Sequence, residues 1–272
     1  MLRRIFLSGF PALMLARAQA APGAKPNGLG TLYEPGSFAQ IPSGTFRMGY
    51  AKGLDDKGPE HEVRISTAFQ IAKTEVTQSL WEAVMRDPHN RTGEQPPVNP
   101  AEGPISPAPS HFPGADLPVE SVSWDDVQVF LKLLNSRESA YRFRLPTEAE
   151  WEYASRAGSK PLPALKDAAE EAWFKDNSSG ATHPVATKKA SRWGLFDMDG
   201  NVAEWVSDWY GPDYYTGSPH SDPKGPAAGS YRVFKGGAWL TDAALCRPTI
   251  RNFDFPNSRF YHVGFRLVRV AK

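Results

Sequence analysis

The apolar positions fall into patterns that place the main elements before anything else is known. Residues 45 to 48, bracketed by Gly44 and Gly49, fit a short strand. Val63, Ile65, Thr67, Phe69 and Ile71 repeat at period two, which predicts one strand with a single buried face. Leu80, Trp81, Val84 and Met85 share a helical face behind Thr77, a residue type that caps helix N-termini. Ser123 and Asp126 read as a capping box ahead of Val127, Phe130, Leu131 and Leu134, which are spaced i, i+3, i+4, i+7. A third helix, again box-like at Thr147 and Glu150, follows strand-like residues 142 to 145, carries Trp151 and Ala154, and ends near Gly158. Residues 231 to 234 and 265 to 270 predict two further strands, the second closing the chain. Residues 87 to 118 hold nine prolines and no period, the signature of a long surface loop, a feature usually functional or disordered.

Residues 194 to 209, GLFDMDGNVAEWVSDW, follow neither period and read as a structured loop. Asp197, Asp199, Asn201 and Glu204 offer hard oxygen atoms, and Gly194 and Gly200 let main-chain carbonyls turn toward the same point, a combination that suits Ca²⁺. The same residues also suit a loop whose acids cap neighbouring turns.

Composition narrows the picture. In 272 residues, 31 Lys and Arg balance 30 Asp and Glu, so the charge of +1 gives no reason to expect nucleic acid or an acidic membrane as partner. Twenty-three Gly and 25 Pro beside eight Trp point to a loop-rich globular fold plugged by aromatics. Residues 1 to 20 have the form of a secretory signal: Arg3 and Arg4, a short apolar stretch, then Ala18-Gln19-Ala20 as cleavage site. A periplasmic or secreted protein is expected, with a Pro/Gly/Ala-rich tether over 21 to 38 and one domain over 39 to 271. No later apolar run is long enough for a membrane span. Cys246 stands alone, so no intramolecular disulfide forms, and it reads as a small buried hydrophobe ahead of a nucleophile. The six histidines make no local zinc motif, and P-loop, Rossmann and G-x-S-x-G fingerprints are missing.

Six stretches occur in a fixed order: IPSGTFRMG (41 to 49), TEVTQ (74 to 78), RLPTEAEWEYASRAG (144 to 158), the 194 to 209 run, KGGAW (235 to 239) and GFRLVR (264 to 269). Over about 230 residues the chain resembles the formylglycine-generating enzyme (sulfatase-modifying factor) domain family. The resemblance implies an α+β fold, an elaborated C-type-lectin-like fold with little regular secondary structure. It also implies a structural Ca²⁺ held by Asp197, the carbonyls of Gly200 and Val202, and Glu204.

Active oxidases of this family hold copper between two cysteines and use it with O₂ to oxidise a cysteine of the client. By the resemblance, Cys246 matches the second cysteine and Thr241 stands at the first. A threonine is no soft ligand, so copper is not expected. Ala203 replaces a tryptophan beside the substrate groove, and Ala238 replaces a serine. The expected protein is therefore a monomeric accessory or maturation factor for an exported protein, peptide or small-molecule client, of uncertain enzymatic status. The alternative is a peptide- or glycan-binding module, and a true formylglycine-generating oxidase ranks behind both. Trp239, Arg247 and Arg251 are candidate groove residues, although Arg251 and Arg266 are better suited to internal salt bridges.

Overall fold

The computed structural model describes residues 36–50, 58–87, 98–99, 103–158 and 169–272. The expected signal over residues 1 to 20 and most of the tether lie outside them. Phe38, expected as the last tether residue, instead opens a strand and is buried.

Strands β1 (Phe38–Ile41), β2 (Gly44–Met48), β3 (His61–Ile65) and β4 (Phe69–Ala72) precede helix α1 (Gln78–Met85). The two-residue strands β5 (Val98–Asn99) and β6 (Gly103–Pro104) come next, then α2 (Trp124–Arg137), β7 (Tyr141–Arg144) and α3 (Glu148–Ser155). The remaining strands are β8 (Ala203–Trp209), β9 (Arg232–Lys235), β10 (Arg251–Asp254), β11 (Val263–Phe265) and β12 (Val268–Ala271). They build two four-stranded sheets, ordered β1-β4-β12-β7 and β10-β9-β8-β11. The first is antiparallel throughout; in the second, β8 and β11 run parallel. The expected α+β class is what forms.

Helices α1, α2 and α3 start where their caps predict. The Thr77 side chain accepts from the Leu80 N–H, and complete capping boxes close at Ser123/Asp126 and Thr147/Glu150. Each box satisfies donors that a helix start otherwise leaves without partners. The predicted apolar faces of α1 and α2 are buried, with Trp81 stacked on Phe130 at 5.2 Å and both meeting the edge of Phe265. Truncating Trp81 to alanine would cost roughly 3–5 kcal/mol by leaving that stack empty.

Two predicted strands each prove to be two. The 63–71 segment breaks at Ser66–Ala68, where Ser66 N–H and Oγ bond to Asp222, so β3 pairs with β2 while β4 joins the first sheet. The 265–270 segment breaks at Arg266 and Leu267, and the chain passes from β8 to β4 and β7. Period two holds at Val63, Ile65, Phe69 and Ile71 but fails at the exposed Thr67, and residues 263 to 269 are buried without alternation. The proline-rich 87–118 segment is less superficial than expected where it is described. Ile105 is buried, the Trp81 indole donates to Ser106 O, and the Gln78 amide donates to Phe112 O and Pro118 O.

Candidate functional site

The 194–209 run divides at residue 202. Its first part is a turn with positive φ at Gly194, Asp197 and Asn201, and its second part is strand β8, not loop. Ala203 to Val206 are all buried, so β8 lies between two packed layers and shows no alternation. Gly200 is required by contact, since an added Cβ would sit 2.3 Å from Trp173 O. Asn201 ties three segments together: its N–H donates to Trp173 O, its carbonyl accepts from Trp239 N, and its amide exchanges hydrogen bonds with the His183 backbone at 2.9 and 3.1 Å.

Glu204 serves as the counter-ion of Arg266. The guanidinium donates to both carboxylate oxygens at 2.6 and 2.7 Å, and the Trp151 indole adds a third bond at 2.6 Å. Arg266 also donates to Ala72 O, Lys73 O and Phe196 O, which fastens the 194–202 turn to the end of β4. Beside this pair, Asp197 Oδ2 accepts from Ala186 N at 2.8 Å, while Oδ1 is buried with no partner among the described residues. Burial raises the Asp197 carboxyl to about 6. Glu75 has both oxygens in the same condition, and burial, reinforced by Asp197, pushes its pKa well above the usual range.

As for Ca²⁺, Asp197 Oδ1 is a hard oxygen lacking a partner on the same turn as Gly200 and Val202. The Glu204 oxygens already take three donors, although a carboxylate has about four lone-pair sites. Among the described residues no cluster of three or more His, Cys, Asp or Glu is arranged as a metal cage. The fit therefore rests on Asp197 and main-chain carbonyls.

Thr241 and Cys246 come together on the turn that follows β9. The Cys246 thiol donates to Thr241 O at 3.8 Å, and Thr241 Oγ1 accepts from Ala238 N at 3.0 Å. Cys246 is buried against Ala172 and Phe174, and a Cβ at Gly237 would meet its sulfur at 2.4 Å. Burial, then the charges of Asp199 and Asp242, pushes the thiol up to about 12. It stays protonated at neutral pH, as an inert buried cysteine does. One protonated thiol beside a hydroxyl does not fit an ion that needs two thiolates.

A cavity of about 300 Å³ opens beside Thr241, walled by Ala203, Phe234, Ile250, Arg251 and His262. His262 Nδ1 is buried with no partner among the described residues, and burial lowers the ring's pKa, which keeps it neutral at pH 7. Arg251 reaches this wall but spends its guanidinium on Glu148, at 2.7 and 3.0 Å. Trp239 and Arg247 lie outside the lining: Trp239 donates to Tyr261 O and packs on Phe112, and Arg247 sits over the Tyr50 ring.

Behind that wall lies a buried charge network, of which sequence reasoning offered only Arg251 as a salt-bridge candidate and missed Glu148, Glu152 and Lys235. Glu148 takes Arg251, Lys235 at 3.3 Å and the Tyr215 hydroxyl at 2.9 Å, while Lys235 also reaches Glu152 at 3.2 Å. Burial opposes the Glu148 charge, yet Arg251 and Lys235 hold its pKa at about 2. Glu148 and Glu152 are one turn apart on α3, and that spacing was the available signal.

The sequence profile of the sulfatase-modifying factor enzyme 1-like domain matches residues 32–271. A formylglycine-generating enzyme of Streptomyces coelicolor is 29% identical over 94% of both chains. Another, of Thermomonospora curvata, is 31% identical over 83% of this chain and 91% of the relative. Among solved structures, PvdO from Pseudomonas aeruginosa superposes with a TM-score of 0.71 at 26% identity, covering 85% of this chain and 93% of the other. Treponema denticola variable protein 1 gives 0.68 at 29%, covering 85% and 94%. With the profile spanning nearly the whole described fold and full-length relatives agreeing, the chain belongs to the formylglycine-generating enzyme, or sulfatase-modifying factor, domain family and has that family's α+β fold.

Proposed function

We propose that this family member is an exported accessory or maturation factor that engages an exported protein, peptide or small-molecule client through the Thr241 cavity, without copper-dependent oxidation of a cysteine. The observation that carries the reading is the state of the cysteine pair: Thr241 at one position, its hydroxyl engaged by Ala238 N, and at the other a buried thiol held up to about 12. Export rests on the form of residues 1 to 20. A structural Ca²⁺ at Asp197, Gly200 O, Val202 O and Glu204 belongs to the same reading, supported by the orphaned Asp197 Oδ1. Bound there, the ion would compensate a buried carboxylate and pin the turn, with no part in chemistry.

A CxPxR peptide incubated with the protein, Cu(I) and O₂ is expected to give no aldehyde, and Thr241→Cys is expected to gain stoichiometric Cu(I) binding. Robust conversion by the wild type would overturn the reading. A binding module is favoured by one observation, the aromatic cluster of Trp239, Phe112, His111 and the 48%-exposed Tyr261. Saturable peptide or glycan binding without turnover distinguishes it.

A further inference from the structure

A second cavity, of about 740 Å³, shares no lining residue with the first. It opens where the 66–68 break between β3 and β4 faces α2, β7 and the start of α3. Its volume lies in the range of small-molecule sites. The floor is apolar: Ile65, Phe69, Leu131, Phe143 and Leu145 are all buried.

The rim is cationic. Lys132 on α2, Arg142 on β7 and Lys224 all line it, all are exposed, and among the described residues none has a carboxylate within ion-pair distance. The two acids of the lining, Glu150 and Asp222, are bonded within it and are outnumbered by its four cations, Arg144 included. Arg144 holds Glu150 with two bonds at 2.6 and 2.7 Å, and Asp222 accepts from Ser66 N–H and Oγ. Trp124 adds an indole whose ring already carries the Arg232 guanidinium at 3.6 Å, the same group lying 3.4 Å from the Trp209 ring. A ring that already holds a cation is a poor seat for a second one.

We propose that this cavity binds a small organic anion: a flat apolar ring seated on the floor beside Trp124, bearing an oxyanion held by Lys132, Arg142 and Lys224. Three uncommitted cations at one rim stabilise an anion, whereas a neutral ring gains only from the floor.

The test uses the folded full chain and three probes, 2-naphthoate, 2-naphthyl phosphate and the neutral 2-naphthamide, measured by isothermal titration calorimetry. Saturable binding of either anion is expected, with 2-naphthamide at least about tenfold weaker. The exposed substitutions Lys132→Glu, Arg142→Glu and Lys224→Glu, made together, should weaken the anions about 30-fold or more and leave 2-naphthamide unchanged. An unaltered thermal midpoint shows that the variant remains folded. The proposal is overturned if neither anion binds saturably, if 2-naphthamide binds as well as the anions, or if the triple variant keeps the wild-type affinity.

Discussion

Replacing Glu148 with glutamine tests whether the buried network behind the Thr241 cavity fastens α3 to the second sheet. Glu148 is 2% exposed, so solvent screens its ion pairs little. Held at about 2 against an ordinary 4.5, it contributes about 3 kcal/mol of folding stability at pH 7. Removing one partner of a buried pair typically costs about 3–5 kcal/mol, a consistent range. Relief of the Asp208 carboxylate, which Glu148 repels, offsets part of the loss and favours its lower end. The folded pKa is depressed, so the contribution is complete above about pH 5 and is lost as pH falls toward 2. The gap between wild type and Glu148→Gln in urea unfolding should therefore be about 3 kcal/mol at pH 7 and about 2 kcal/mol smaller at pH 3. A gap under about 1 kcal/mol at pH 7, or one that does not change with pH, would refute the reasoning.

Three further outcomes are expected. Asp208 is raised by burial and then by Glu148 to about 7, so its folded form holds a proton that the unfolded chain releases near 3.8; Asp208→Asn should stabilise the protein increasingly as pH rises from 4 to 7, read from paired unfolding curves. Added Ca²⁺ should raise the thermal midpoint and EGTA lower it, with Asp197→Ala abolishing the response; a midpoint indifferent to both removes the calcium proposal. Cys246 should ignore a thiol-disulfide reagent at pH 7.4 until the chain is unfolded, and prompt labelling of the native protein would contradict its burial and its pKa of about 12.

What the sequence made legible was local. Thr77, the Ser123/Asp126 box and the Thr147/Glu150 box placed the starts of α1, α2 and α3, because a cap and the donors it satisfies lie within four residues of each other. The strands were legible as apolar pairs but not in their sheet membership. Nothing in Val63–Ile71 says that Ser66 meets Asp222, 156 residues away. β10 passed unseen because Arg251-Asn252-Phe253-Asp254 shows no apolar alternation, and the partner that buries Arg251, Glu148, lies 103 residues away.

The candidate site divides along the same line. Cys246 and Thr241 were found as positions, and the structure brings them within 3.8 Å, but the thiol's inertness comes from Phe174, Ala172 and Asp199, none of which is a sequence neighbour. Glu204 was expected as a Ca²⁺ ligand from its company of acids, and nothing in its sequence neighbourhood announced the Arg266 guanidinium that it accepts from. That pair joins the 194–202 turn to β8, β11 and β4, and β8 in turn carries Ala203 into the wall of the Thr241 cavity. A ligand in that cavity thus rests on a strand fixed by buried charge, so a loss of stability at Glu204 or Arg266 would also appear as a loss of binding. Substitutions meant to probe recognition belong on Thr241, Asn252 and His262, which line the cavity outside the Glu148 and Glu204 ion pairs.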